Sequence, residues 1–227
     1  MGACRNAPSR PIIQRSLYLD NVPKIVDPQR RREEVLDAVW RVIQRDGLGA
    51  ATIRAIATEA GASTAVVTYY FKNKDDVLKS ALGLSHARIG ARRERKLAGK
   101  RGLEALNVAL LQTLPLDAER RLELHIEVSF WARAISDDAA SAEHLRSHQR
   151  SLDLFERLIL ETMQTGEIDD TLDSRLLADE LLALVDGMGV DALMHPKQLS
   201  TARMKSILRD HLARLHPDKR ASSVDDR

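Results

Sequence analysis

The stretch Gly61–Lys74, GASTAVVTYYFKNK, sets small and hydroxyl-bearing side chains, two tyrosines and two lysines within one helix-sized segment. Such residues pack a core poorly and meet a polar, anionic surface well. Ser63, Thr64 and Ala65 are small enough for a close approach of the backbone, Thr68, Tyr69 and Tyr70 bring hydroxyls, and Lys74 brings a cation. Together they match what a nucleic-acid groove presents, hydrogen-bonding base edges flanked by phosphates. An ordinary helical hairpin with a polar outer face would have a similar composition.

A second set of residues could do metal chemistry. His144 and His148 stand four apart, on one face of a helix, with Glu143 and Glu161 as further carboxylates. No glutamate lies between the two histidines in the zinc-peptidase arrangement. A helical metal-dependent hydrolase is therefore a reading to keep, but exposed histidines on a charged helix are the plainer one. The chain is expected not to be an enzyme and calls for no cofactor.

Local signals supply the elements that would position these residues. Asp27-Pro28 is a cap followed by proline at the first helical position, and behind it Val35, Leu36, Val39, Val42 and Ile43 recur on one face up to Gly47. Thr52 can cap a short helix bearing Ile53, Ile56, Ala57 and Ala60, Gly61 supplies a turn, and Ser63 can cap a third helix running to about Tyr70. Two short helices around such a turn form a helix-turn-helix. Asn73, Asp75 and Asp76 open a long fourth helix that runs into the basic stretch Arg92–Lys96, itself read as a solvated face. Further helices are predicted near 102–113, 117–135, 138–164, 174–194 and 200–215. The class is all-α.

Composition agrees. Only 4% of the residues are aromatic, which disfavours sheets, and the single Cys4 can close no internal disulfide. No apolar run is long enough for a membrane span, and the N-terminal segment lacks the apolar stretch of a signal peptide, so a cytoplasmic protein is expected. Charge is divided unevenly: residues 1–100 hold 19 Lys and Arg against 10 Asp and Glu, a balance of +9, while the remainder carries −7. The two parts are thus suited to different partners.

The run TIRAIATEAGASTAVVTYYFKNKDDVLKSAL, with VPKIVDPQRRREEVLDAVWRVIQRDG before it, resembles the DNA-binding segment of TetR-family transcriptional regulators. The order Ser-Thr to Tyr-Phe is similar to the subgroup of the choline-responsive betaine-gene repressor, and LPLDAERRLELHIEVSFWARAISD and LLALVDGMGVDALMHP resemble that subgroup's C-terminal domain. The resemblance implies a ligand-responsive repressor that binds a palindromic operator in double-stranded DNA as a homodimer and leaves it when a small-molecule effector binds. An activator or architectural DNA-binding protein without effector is the alternative.

Carried over by residue, Thr52 and Arg54 match second-helix contacts, Ser63, Thr64, Ala65 and Thr68 the groove-facing positions, and Tyr69, Tyr70 and Lys74 a backbone clamp. Many members carry tyrosine where this chain has Thr68, which shortens that reach. The effector pocket is expected around His125, Glu127, Phe130 and Trp131, with Phe155, Met163 and Met188. The last two helices would form the dimer interface through Leu177, Leu181, Leu184, Met204, Leu208 and Leu212, with Gly187 and Gly189 admitting a close partner. The expected organisation is an arm over 1–26, a helix-turn-helix domain over 27–73, an effector-binding and dimerisation domain over 74–217 and a tail over 218–227.

Overall fold

The computed structural model describes residues 27–217; the expected arm over 1–26 and tail over 218–227 lie outside them. Every regular element among the described residues is helical. The head consists of α1 (Pro28–Asp46), α2 (Ile53–Glu59) and α3 (Thr64–Tyr70), followed by the long α4 (Lys74–Leu97). The body consists of α5 (Gly102–Thr113), α6 (Ala118–Ala134), α7 (Asp138–Gln164), α8 (Ser174–Met194) and α9 (Thr201–Ala213).

The head's helices start and stop where their side chains satisfy end groups. Asp27 accepts from Gln29 N, Thr52 from Ala55 N, Ser63 from Val66 N and Asn73 from Asp76 N. Each of these bonds satisfies an amide that has no partner inside its own helix. Gly61 takes φ +58° between α2 and α3, a left-handed conformation that side-chain-bearing residues adopt only with strain.

Two apolar clusters result. One gathers the buried faces of α1 to α4, including Val39, Ile43, Ile56, Val67 and Phe71, and extends to Val77, Leu78, Ala81 and Leu82 of α4. The domain boundary expected at 73/74 therefore falls inside a continuous core, because the first two turns of α4 pack on α1. Trp40 fastens them: its indole Nε1 donates to the Ala81 carbonyl at 3.1 Å, and the Arg88 guanidinium covers its ring at 4.4 Å. Ile126 and Phe130 of α6 complete this same cluster from the body side.

The second cluster fills the space between α5, α7, α8 and α9, and it corrects the expected dimer interface. Leu181, Met204 and Leu208 are fully enclosed in it, Leu177 and Leu212 nearly so, and Leu184 sits at its margin. Apart from Leu184, these side chains are the subunit's own core and have little surface left for a partner. The two glycines divide likewise. A Cβ on Gly189 would come within 2.8 Å of Leu124 on α6, so that position packs inside the subunit, whereas Gly187 faces open space.

Candidate DNA-reading helix and effector cavity

The face of α3 that is turned away from the core holds Ser63, Thr64, Ala65, Thr68 and Tyr69, all exposed, with Tyr69 at 81%. Val67 and Phe71 point into the head, and Tyr70 is half-buried against the head cluster with its ring edge-on to Tyr69 at 5.0 Å. Exposed Thr52 and Arg54 stand at the start of α2 beside this face. The hydroxyls have prior commitments that define what they can still do. Ser63 and Thr52 accept backbone amides as caps, which leaves each O–H free to donate, as a phosphate oxygen requires. Thr68 donates to the carbonyls of Thr64 and Ala65 at 3.1 and 3.2 Å, so toward a base its oxygen is an acceptor. Lys74, half-buried at the first position of α4, donates to the Gly49 carbonyl at 3.3 Å. That bond holds the ammonium at the helix N-terminus, where free amides and charge both favour an anion.

A cavity of about 190 Å³ opens in the body between α4, α6, α7 and α8. Two of the expected effector residues, Glu127 and Trp131, line it, and Phe130 borders its extension toward the head. Phe155 and Met188 are instead body core, Met163 packs against that core, and His125 points elsewhere on α6. A wide apolar stripe resembled a pocket wall in the sequence, but it fills the interior.

Several cavity residues escaped the sequence reading because they come from separate helices: His86 and Arg93 from α4 and Asp186 from α8. His144 and His148, expected as exposed, are half-buried in its wall, with the His144 ring 5.7 Å from Trp131 and 6.0 Å from His148. Burial, helped by His148, lowers the His144 pKa from its ordinary value. Burial, aided by the nearby Glu127 charge, pushes the Asp186 carboxyl up to about 7. His86 Nε2 lies 2.5 Å from Glu127 Oε1, yet that buried oxygen takes no aligned hydrogen bond. Among the described residues no three His, Cys, Asp or Glu side chains converge as metal ligands. No helix among them is long and apolar enough to cross a membrane.

α6 lies between the two sites. Ile126 and Phe130 are in the head's core, while the adjacent Glu127 and Trp131 line the cavity.

Comparison with known proteins agrees with this arrangement. Residues 35–81 match the tetR family of bacterial regulatory proteins, and residues 102–217 match the C-terminal domain of BetI-type transcriptional repressors. The HTH-type transcriptional regulator PksA of Bacillus subtilis (strain 168) is 29% identical over 196 residues, covering 84% of this chain and 92% of the relative. The HTH-type transcriptional regulator BetI of Vibrio vulnificus (strain YJ016) is 23% identical over 195 residues, covering 84% and 95%. A transcriptional regulator from Saccharomonospora viridis, solved in complex with choline, superposes with a TM-score of 0.76 at 26% identity, over 80% of this chain and 95% of that one.

Proposed function

We propose a specific mechanism for a chain that belongs to the TetR family of bacterial regulators and carries a BetI-type transcriptional repressor domain over its C-terminal half. The chain is a DNA-binding repressor of that type. In the mechanism, α3 enters the major groove. Thr64, Ala65 and Thr68 meet base edges, while Thr52, Arg54, Ser63, Tyr69, Tyr70 and Lys74 hold the backbone. Two subunits present two such helices to one two-fold operator.

The dimer forms on the outer stripe of α8. Leu176, Glu180, Ala183, Gly187, Val190 and Met194 follow one another at alternating spacings of four and three, the register of a helix seam. Leu176 and Met194 are 58% and 67% exposed in the isolated subunit, and the small Ala183 and Gly187 between them leave room for a partner helix.

The effector is a small cationic molecule in the α4/α6/α7/α8 cavity. Trp131 offers a ring face to a cation, and Glu127 and Asp186 offer carboxylates. The choline bound to the Saccharomonospora viridis regulator is a cation of this size class. One observation carries the mechanism: α6 walls the cavity with one edge and completes the head's core with the next. A ligand that resets α6 must move the head, and the operator is lost when the ligand prefers the spacing that DNA does not.

The deciding experiment selects bound duplexes from a random pool, then titrates the selected site with protein in the presence and absence of choline. A near-palindromic site that choline releases, with Trp131 emission changing over the same concentrations in a Trp40→Phe background, is expected. A site without two-fold symmetry, or release with Trp131 silent, would overturn the mechanism.

A further inference from the structure

The charges lining the cavity are unequally compensated at its two ends. α4 and α6 run antiparallel, as the pairings Asp75 with Arg133, His86 with Glu127 and Arg92 with Glu123 require. His86 and Arg93, two turns apart on α4, are therefore separated by about 10 Å along the cavity. Beside His86, the buried Glu127 Oε1 has no aligned donor, and Asp186 has no ion pair among the described residues. That end offers two carboxyl groups to a cation, with His86 as their one basic neighbour among the ion pairs described.

Beside Arg93 the balance is reversed. The two Glu123 oxygens are taken by Arg92 at 2.8 and 2.6 Å, and Arg120 is committed to Asp117 and the Leu111 carbonyl. Arg93 itself is half-buried and makes no hydrogen bond or ion pair among the described residues; Glu94, its neighbour in the chain, acts on it only at a distance, and Arg157 is a second cation in its field. A guanidinium drawn out of water without a counter-ion is costly, and so is a carboxylate at the opposite end. A ligand carrying only a cation would relieve one end and leave the other as it was.

We infer that the effector is bipolar: an ammonium or quaternary amine seated by Glu127, Asp186 and Trp131, joined through a short chain to a carboxylate or phosphate that pairs with Arg93. This inference rests on the cavity being the effector site. The guanidinium fork suits either anion, because both accept two parallel N–H bonds.

The test compares γ-trimethylammoniobutyrate with butyltrimethylammonium, which lacks the carboxylate, and with γ-trimethylammoniopropyl phosphate, by calorimetry on the full chain. One of the two zwitterions should bind at least about tenfold tighter than the plain cation, the gain expected of one charge-assisted pair. In Arg93→Gln that ratio should fall to near one while butyltrimethylammonium binds as before, which also shows that the variant is folded; Arg93→Lys should keep part of the preference. Equal affinity for cation and zwitterions in the wild type, or a preference untouched by Arg93→Gln, would overturn the bipolar ligand and leave a cation site standing. Absence of binding by all three would overturn the cavity as a cation site, and the bipolar ligand with it.

Discussion

Arg133 and Asp75, 58 residues apart in the chain, form a two-pronged ion pair in which each terminal guanidinium nitrogen lies 3.1 Å from a different carboxylate oxygen. The same guanidinium holds Asp137, the cap of α7, at 2.8 and 3.0 Å. Asp75 follows Lys74 at the start of α4, so the proposed phosphate clamp, the end of α6 and the start of α7 meet at one side chain. The Arg133 hydrogen bonds hold Asp75 below the usual carboxylate range.

The first prediction follows from that junction. Arg133→Met should cost no more than about 1 kcal/mol of stability, because Asp75 is half-exposed. It should nevertheless weaken the link between cavity and head. Operator affinity measured with and without effector should differ less than in the wild type, while effector affinity in the absence of DNA stays close to its original value. Unchanged coupling would leave this pair a surface contact with no share in signalling.

For the reading helix, defects should differ in kind. Lys74→Ala should weaken all duplexes alike and lower the salt slope by about one, the signature of a lost phosphate contact. Thr64→Ala and Thr68→Ala should relax discrimination at particular base pairs by about 1–3 kcal/mol with the salt slope preserved. Binding isotherms across salt concentrations and single-base operator variants separate the two, and a common defect in all three variants would assign the helix no sequence reading.

The dimer stripe and the body core should likewise respond differently to charge. Ala183→Arg, on the outer face of α8, should yield folded monomers in light scattering. Leu208→Glu, inside the core, should lower the melting temperature of the subunit itself, because a buried unpaired carboxylate costs several kcal/mol. Dimers that survive Ala183→Arg at micromolar concentration would place the interface off this stripe.

Asp186 makes stability depend on pH in a definite direction. Its carboxyl titrates near 7 in the fold against 3.8 when unfolded, so the folded chain holds the extra proton between those values. Stability contributed by this group falls as pH rises through that window, and the penalty is complete above 7. Asp186→Asn should therefore gain on the order of 4 kcal/mol at pH 8 and little near pH 4. Glu127 on α6 and His144 and His148 on α7 line the same cavity and are left in place by the variant. Denaturant melts at the two pH values check it, and equal gains at both would contradict the assignment.

The helices were legible because their signals are local. Asp27, Thr52, Ser63 and Asn73 each cap as their types foretell, and the exposed face of α3 can be read from Gly61–Lys74 directly. The orientation of α8 was not legible. Leucines 176, 177, 181 and 184 surround much of the helix, and only the packing of α5 and α7 decides that 177 and 181 turn inward while 176 stays outside. The cavity was half legible for a related reason: Glu127 and Trp131 share one helix, but Arg93, His148 and Asp186 reach it from three others, and no spacing in the chain records that meeting.

The alternation along α6 bears on how such a protein could be retargeted as a biosensor. Ile126 and Phe130 serve the head while Glu127 and Trp131 line the cavity, so on the proposed mechanism a substitution on this helix that admits a new inducer would also disturb the unliganded head and raise leak expression. The α7 and α8 walls, with Ser147, His148, Ser151 and Asp186, contribute nothing to the head's core. On the same mechanism, libraries confined to those walls would change which inducer is recognised while the uninduced baseline stays where it was.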